Sequence, residues 1–497
     1  MENAKPTALR DDSTLHEECG VVGAFSFSGE DVSVSIYNAL MALQHRGQDS
    51  AGMATFNGSK IRNHRKIGLV SKVFDEESLA HLKGFAGVGH VRYPTIGAGG
   101  EEDAQPFTIN FPRKGLALAH NGNIANYGTM RALLEGKGHQ LTSTCDSDLI
   151  LTIFAGHLQG NPDIYAASTL LMKDLDGSYS ICAISGMGEL VVMRDPKAIR
   201  PLCFGRKGGL IMFASESVAL DINAIKLSGD VKPGEVLVIT KDGIQSKVAA
   251  ENPSEAHCMF EYVYFSRPDS VIDGNLVYGV RHELGRRLAK SAPANADIIV
   301  AVPDTSRPAA EGYANVAKLP LVEGLIKNRY IGRTFIMPSQ EKRMQAVRFK
   351  LNAVRPLVVG KRVVLIDDSI VRGTTSGPIV QLMREAGAKE VHLRITCPPV
   401  IGPCFYGVDL PSYSELIASS NSVEQIRKII GADSLAYLSI GDLVAAIGMD
   451  KKRLCLGCVN GEYPTPVGRK LAQMMKKEKK PKAQGREGVR VWEEKVI

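Results

Sequence analysis

The chain has 497 residues, room for two to four domains. Its 44% hydrophobic and 23% charged residues are the balance of a packed soluble protein, which excludes a disordered chain, and no run of about 18 apolar residues predicts a membrane-spanning helix. The net charge of +7 would suggest nucleic acid only if it gathered on one surface.

Residues 1–18 are polar, with five acids against two bases and no apolar stretch of a secretory signal. From Cys19 to about residue 248 the pattern is of short β-rich runs bounded by Gly, Asn or Asp: 20–27, 51–56, 87–93, 116–122, 179–185, 190–195, 210–216 and 235–240. Between them Ile36, Leu40 and Leu43 keep helical spacing, as do Leu149, Ile150 and Phe154. Grouped strands with few helices predict an α+β layered sandwich over residues 19–248.

A polar stretch at 249–254 (AAENPS) precedes a different rhythm. Val277, Val280, Leu284 and Leu288 share a helical face, and apolar strands at 296–302, 362–367 and 391–396 alternate with helical segments. This alternation predicts an α/β domain at 255–468 on a parallel sheet, with ligands at the strand C-terminal ends. Residues 469–497 hold ten basic and four acidic residues and read as a solvated helix end or mobile tail.

A lone cysteine such as Cys19 is most often a small core residue. Here it is followed by HRGQDSAG (45–52), HVRYPTIG (90–97), HNGNI (120–124) and CDSD (145–148), polar clusters at strand ends. In this order they resemble the glutamine amidotransferase domain of the N-terminal-nucleophile hydrolase class, over about residues 19–248. The resemblance implies that residues 1–18 are a propeptide whose removal gives Cys19 both a thiol nucleophile and a free α-amine as base. It further implies that Asn121 and the Gly122 N–H form an oxyanion hole, that Arg92 takes the glutamine α-carboxylate, and that Asp146 takes its α-amino group. The class usually carries Ser and Glu where this chain has Cys145 and Asp148.

In VVLIDDSIVRGTTS (363–376) a strand ends in two acids and a Gly/Thr/Ser loop then leads into a helix, an arrangement suited to a phosphate. Asp367 and Asp368 stand where ribose hydroxyls and hydrated Mg²⁺ could be held, ahead of Gly373, Thr374, Thr375 and Ser376. The string resembles the signature of type I phosphoribosyltransferases. AVPDTSRPAA (301–310) resembles that family's pyrophosphate loop, which adds Asp304, Thr305 and Ser306, with Thr305 at a metal-associated position. Residues 327–350 carry seven bases against Glu341 and suggest a lid over a polyanion, ending at Lys350.

The order of the two halves resembles the amidophosphoribosyltransferase family. That implies glutamine and 5-phosphoribosyl 1-diphosphate as substrates, Mg²⁺ as cofactor, the committed step of purine synthesis, feedback inhibition by purine nucleotides, and a homo-oligomer, tetramer or dimer. Nine cysteines, an odd number, suit a reducing cytoplasm better than a disulfide scaffold. The C-x-x-C at 455–458 is open by itself to zinc, redox or chance. With Cys258 and Cys404, Cys455 and Cys458 match the four thiolate ligands of a [4Fe–4S] centre in the iron–sulfur subgroup of the family, although four thiolates would also suit Zn²⁺. Cys145, Cys182, Cys203 and Cys397 read as ordinary thiols. A related synthase making asparagine or an amino sugar would lack the phosphoribosyl loop. A purine-sensing repressor would need a helix-turn-helix and no nucleophile. With the charge placed in the tail and the lid, neither a nucleic-acid nor a membrane partner is expected.

Overall fold

Two antiparallel sheets stacked face to face organise the first half of the chain in the computed structural model, which describes residues 19–93, 100–328, 347–410, 412–477 and 492. The strands are β1 (Gly20–Ser26), β2 (Ser50–Phe56), β3 (Ile61–Ile67), β4 (Ala86–Arg92), β5 (Phe107–Ile109), β6 (Leu116–Ile124), β7 (Gly177–Ser185), β8 (Leu190–Arg194), β9 (Cys203–Lys207), β10 (Leu210–Ala214), β11 (Lys226–Asp230), β12 (Glu235–Thr240) and β13 (Gly243–Val248). One sheet runs β11-β9-β10-β1-β4-β2-β3 and the other β13-β12-β8-β7-β6-β5.

Side-chain alternation sorts the strands between two cores. On β1, Val21 and Phe25 face the layer between the sheets with Ala119, Cys182 and Val192, whereas Val22 and Ala24 face Ile36 and Leu40 of the helix Ser33–Ala42. The second sheet is covered by the helices Asp146–Gly160 and Ile164–Asp174, which bury Leu149, Ile150, Phe154 and Leu171 against Leu118, Ile181 and Val191. The result is helix, sheet, sheet, helix, the layered sandwich the sequence predicts.

In the second half the strands Ile298–Ala301, Arg362–Asp367, Glu390–Ile395 and Ser434–Tyr437 form a four-stranded sheet, parallel throughout. The helix Val277–Ser291 buries Val277, Val280, Leu284 and Leu288 in the core of this half. Short strands Leu325–Lys327 and Leu351–Ala353 pair antiparallel, so both ends of the basic segment expected to be a lid are anchored together. Its residues 329–346, and the expected propeptide 1–18, lie outside the described residues.

The start of the expected basic tail at 469 falls inside the helix Pro466–Lys477, which buries Leu471, Ala472 and Met475. The lysine run masks this apolar face in the sequence. Residue 492, the only tryptophan, is fully buried, its ring edge-on to Phe405 at 5.3 Å. Among the described residues no helix is long and apolar enough to cross a membrane.

Candidate functional site

Cys19 stands just before β1, half-buried, its thiol 3.6 Å from the Tyr93 carbonyl. The neighbouring strand pair sets Gly20 opposite Val91, so Cys19 and Arg92 leave the sheet at the same end. Gly47 of the HRGQDSAG cluster sits there because a Cβ would come within 2.6 Å of the Arg92 backbone.

The Ser215 hydroxyl links the two candidate strands: it accepts the Val21 N–H at 2.9 Å and the Asn121 side-chain amide at 3.3 Å. Asn121 and Gly122 lie on β6, where Gly122 adopts φ +149° and a Cβ would come within 2.1 Å of the Ser178 carbonyl. Only glycine fits. Asp146 begins a helix and turns back to β6, accepting the Ile124 N–H at 3.3 Å, with His120 Nδ1 at 3.5 Å. Arg92 pairs with buried Asp103 at 3.3 Å, and Asp103 also lines a cavity of about 220 Å³ with Thr142, Ser143 and Thr144. Asp103 and Ser215 carry no motif in the sequence.

Across the molecule, Ile298–Ala301 and Arg362–Asp367 are adjacent parallel strands, so the loops after them meet at one sheet edge. Ser306 Oγ donates to Asp367 at 3.5 Å, and the Asp368 N–H donates to the same carboxylate at 2.9 Å. Burial, then the neighbouring Asp368 charge, pushes the Asp367 carboxyl up; burial raises Asp368 as well, against the pull of Ser369 and Arg281. Two buried carboxyls destabilised as anions make a donor set that fits a divalent cation.

The loop continues through Gly373 (φ +74°) into the helix Ser376–Glu385. Thr374 Oγ1 is buried without a hydrogen-bond partner, directed by the same loop that would cradle a phosphate. Asp304 is exposed and holds Lys327 at 3.3 Å, Thr305 is half-buried, and the Lys350 carbonyl accepts the Asn328 N–H at 2.8 Å.

The four cysteines of the expected cluster converge from three segments. Cys258 and Cys455 are direct partners in a two-stranded parallel pair. The Cys458 carbonyl accepts the N–H groups of Ile401 and Gly402 at 2.8 and 3.0 Å, and Cys404 Sγ accepts the Tyr406 N–H at 3.3 Å. Burial drives the Cys458 thiol well up, and Cys404, Cys455 and Cys258 add to it; burial and Cys404 push Cys455 up to about 12. Thiols that disfavour one another's anions fit a centre that supplies positive charge. Among the described residues no three His, Cys, Asp or Glu side chains close on a single metal ion; an iron–sulfur cube, wider than one ion, needs its thiolates farther apart. Cys397, read as an ordinary thiol, is buried, and its N–H donates to the Asp368 carbonyl at 2.8 Å.

One polar cluster proved to be a junction between the halves. Arg46, fully buried, donates Nε to the Cys19 carbonyl at 3.1 Å and reaches Glu216 at 2.7 Å and Glu261 at 2.8 and 2.9 Å. Further contacts across the junction are Ser178 to the Tyr406 carbonyl (2.7 Å) and Asn123 to that of Phe405 (3.1 Å).

A layered sandwich with a cysteine at its first strand, joined to a parallel sheet carrying an acidic pair and an anion loop, defines a glutamine amidotransferase fused to a phosphoribosyltransferase. A glutamine amidotransferase domain model matches residues 90–222 and a phosphoribosyl transferase domain model matches 273–399. The chain is 50% identical to the amidophosphoribosyltransferase of Methanothermobacter thermautotrophicus, over 92% of this chain and 96% of that protein. It is 44% identical to the Bacillus subtilis enzyme of the same name, over 91% and 95%. The structure of glutamine phosphoribosylpyrophosphate amidotransferase from B. subtilis complexed with ADP and GMP matches with a TM-score of 0.85 at 43% identity, covering 90% of this chain and 98% of that one. The chain belongs to the amidophosphoribosyltransferase family.

Proposed function

We propose that Cys19 releases ammonia from the side-chain amide of glutamine and that the second half joins this ammonia to C1 of 5-phosphoribosyl 1-diphosphate. The products are glutamate, 5-phosphoribosylamine and pyrophosphate, the committed step of purine synthesis. The observation that carries this reading is the Ser215 bridge, which ties Asn121 to the strand that Cys19 opens.

Removal of residues 1–18 converts the Cys19 amide nitrogen to an α-amine, which titrates near ~8 and can take the thiol proton. The thiolate attacks the amide carbon, and the Asn121 amide and Gly122 N–H receive the oxyanion. The α-ammonium passes that proton to the leaving nitrogen, so collapse expels ammonia and leaves a thioester, which water hydrolyses to glutamate. Arg92 binds the substrate carboxylate bidentately and Asp146 its ammonium group.

In the second half Asp367 and Asp368 hold the ribose hydroxyls, and Gly373, Thr374, Thr375 and Ser376 cradle the 5-phosphate at a helix N-terminus. Asp304, Thr305, Ser306 and Lys350 border the pyrophosphate. Thr305, Asp367 and Asp368 would hold Mg²⁺, which when bound neutralises the leaving pyrophosphate. Cys258, Cys404, Cys455 and Cys458 would hold a structural [4Fe–4S] centre that clips the C-terminal segment to the start and the sheet side of the second half. The domain limits are 19–248 and 255–468, the second extended by the rest of the helix that ends at Lys477. Purine nucleotides as inhibitors, suggested by the ADP and GMP of the B. subtilis complex, a cytoplasmic location and a homo-oligomer, tetramer or dimer, complete the proposal.

Pyrophosphate release with glutamine, Mg²⁺ and phosphoribosyl diphosphate tests it, with intact mass measured on the active sample. Release that needs all three, from a chain beginning at Cys19, is expected. No release, or full activity from an uncleaved chain, contradicts it.

A further inference from the structure

Glu261 belongs to the second half of the sequence, yet its carboxylate grips the arginine that touches the nucleophile residue. Arg46 presents its fork to both Glu261 oxygens, NH1 to Oε2 at 2.9 Å and NH2 to Oε1 at 2.8 Å, while its Nε donates to the Cys19 carbonyl at 3.1 Å. Such a two-point grip fixes the guanidinium plane, and with it the direction of the Nε–H. The Arg46 and Glu261 side chains are at most 2% exposed, so the pair is shielded from bulk solvent.

The carboxylate is itself held. Ser266 Oγ donates to its Oε2 at 2.5 Å, and Arg200 approaches its Oε1 at 3.5 Å while donating to the Tyr406 carbonyl. Burial works against the Glu261 anion, but Arg46, Arg200 and Ser266 outweigh it and keep the carboxyl below its ordinary range. Glu261 opens a five-residue π-helical turn, Glu261–Phe265, a form of helix that recurs at functional sites. The carbonyls of Tyr262, Tyr264 and Ser266 are pinned by buried Arg281 at 2.8, 2.9 and 2.7 Å.

We propose that Glu261 is a positioning residue for the glutamine half-reaction: through Arg46 it sets the main chain of Cys19, and hence its thiol and α-amine, from the far side of the domain junction. The proposal rests on Cys19 being the nucleophile. A purely structural ion pair would lower every activity of the enzyme together. A positioning residue lowers only the glutamine-dependent one, because ammonium supplied from solution bypasses Cys19.

The test is steady-state kinetics on the full-length enzyme and its E261Q, E261D, S266A and C19A variants, with glutamine or ammonium as nitrogen source. E261Q keeps the shape but puts an N–H donor against Arg46. Glutamine-dependent kcat should fall about 10- to 100-fold, the scale of a misplaced reacting group, while ammonium-dependent pyrophosphate release and the KM for phosphoribosyl diphosphate hold. E261D, which keeps the charge, should recover part of the loss. S266A, which changes no charge, should give a smaller loss in the same direction and decides the matter if E261Q does not fold. Glutamine kinetics in E261Q and S266A equal to the parent, or an equal loss with ammonium, overturns the proposal. C19A separates the two readings: if it retains glutamine-dependent activity, the nucleophile assignment fails whatever Glu261 does.

Discussion

Asn121 donates its side-chain amide to the Ser215 hydroxyl at 3.3 Å, and the same hydroxyl accepts the Val21 N–H at 2.9 Å. A residue on β6 is thus aimed by a hydroxyl just beyond β10 toward the strand that starts at Cys19. Asn121→Ala is expected to cost about 10²–10³ in glutamine-dependent kcat, the usual loss of one oxyanion donor. Ser215→Ala leaves the donor but frees its rotamer, so a smaller loss is expected. Ammonium-dependent rates check both, and should not change.

Thr374 offers a cleaner separation of ligand from structure. Its buried hydroxyl has no protein partner to lose, so Thr374→Val should leave the unfolding midpoint unchanged. The KM for phosphoribosyl diphosphate should rise about tenfold, the worth of one hydrogen bond to a charged group. Unchanged KM in titrations of the variant would remove Thr374 from the phosphate site.

Acid stability reports on the junction. Burial alone would raise the Glu216 carboxyl, but His45, Arg46 and Ser270 outweigh it and hold the group far below the usual carboxylate range. A lowered native value means that the contribution is fully present above the unfolded-state value near ~4 and is lost as the pH falls from there through the native value. Glu216→Gln should therefore be less stable than the parent in urea at pH 7, and the gap should narrow below about pH 4. A gap independent of pH would show that the lost charge is not its source.

The interior strands were legible because both faces are buried and their apolar runs are continuous, as in β7 (GSYSICAIS) and β12 (EVLVIT). The strands without such a signal include all four sheet edges: β3, β5, β11 and β13. An edge strand keeps one flank in solvent, so IRNHRKI and KLSGD carry no continuous apolar run to mark them. The candidate site residues were legible where chemistry is local, as in DDSIVRGTTS. Glu216 and Glu261 were not, since their partner Arg46 lies 170 and 215 residues away, and Asp103, 11 residues from Arg92, sits in no motif. The tail misled because Leu471, Ala472 and Met475 sit among lysines, and composition records the charge before the face.

Trp492 supplies a built-in reporter for the proposed metal centre. It is the only tryptophan, and it packs on Phe405, the residue after Cys404. A bound iron–sulfur centre absorbs in the visible and should quench its emission. Anaerobically purified enzyme is expected to be coloured and dim, and to brighten as air bleaches it. Cys258→Ser should be colourless and bright from the start. Emission that does not follow iron and sulfide content, or a colourless protein with stoichiometric zinc, would contradict the assignment.

The most direct measurement is pyrophosphate release by the parent and by Cys19→Ala, each given phosphoribosyl diphosphate and Mg²⁺ with either glutamine or ammonium. The account predicts that the variant loses the glutamine-dependent reaction and keeps the ammonium-dependent one. Glutamine-dependent release that survives the loss of the Cys19 thiol would contradict it.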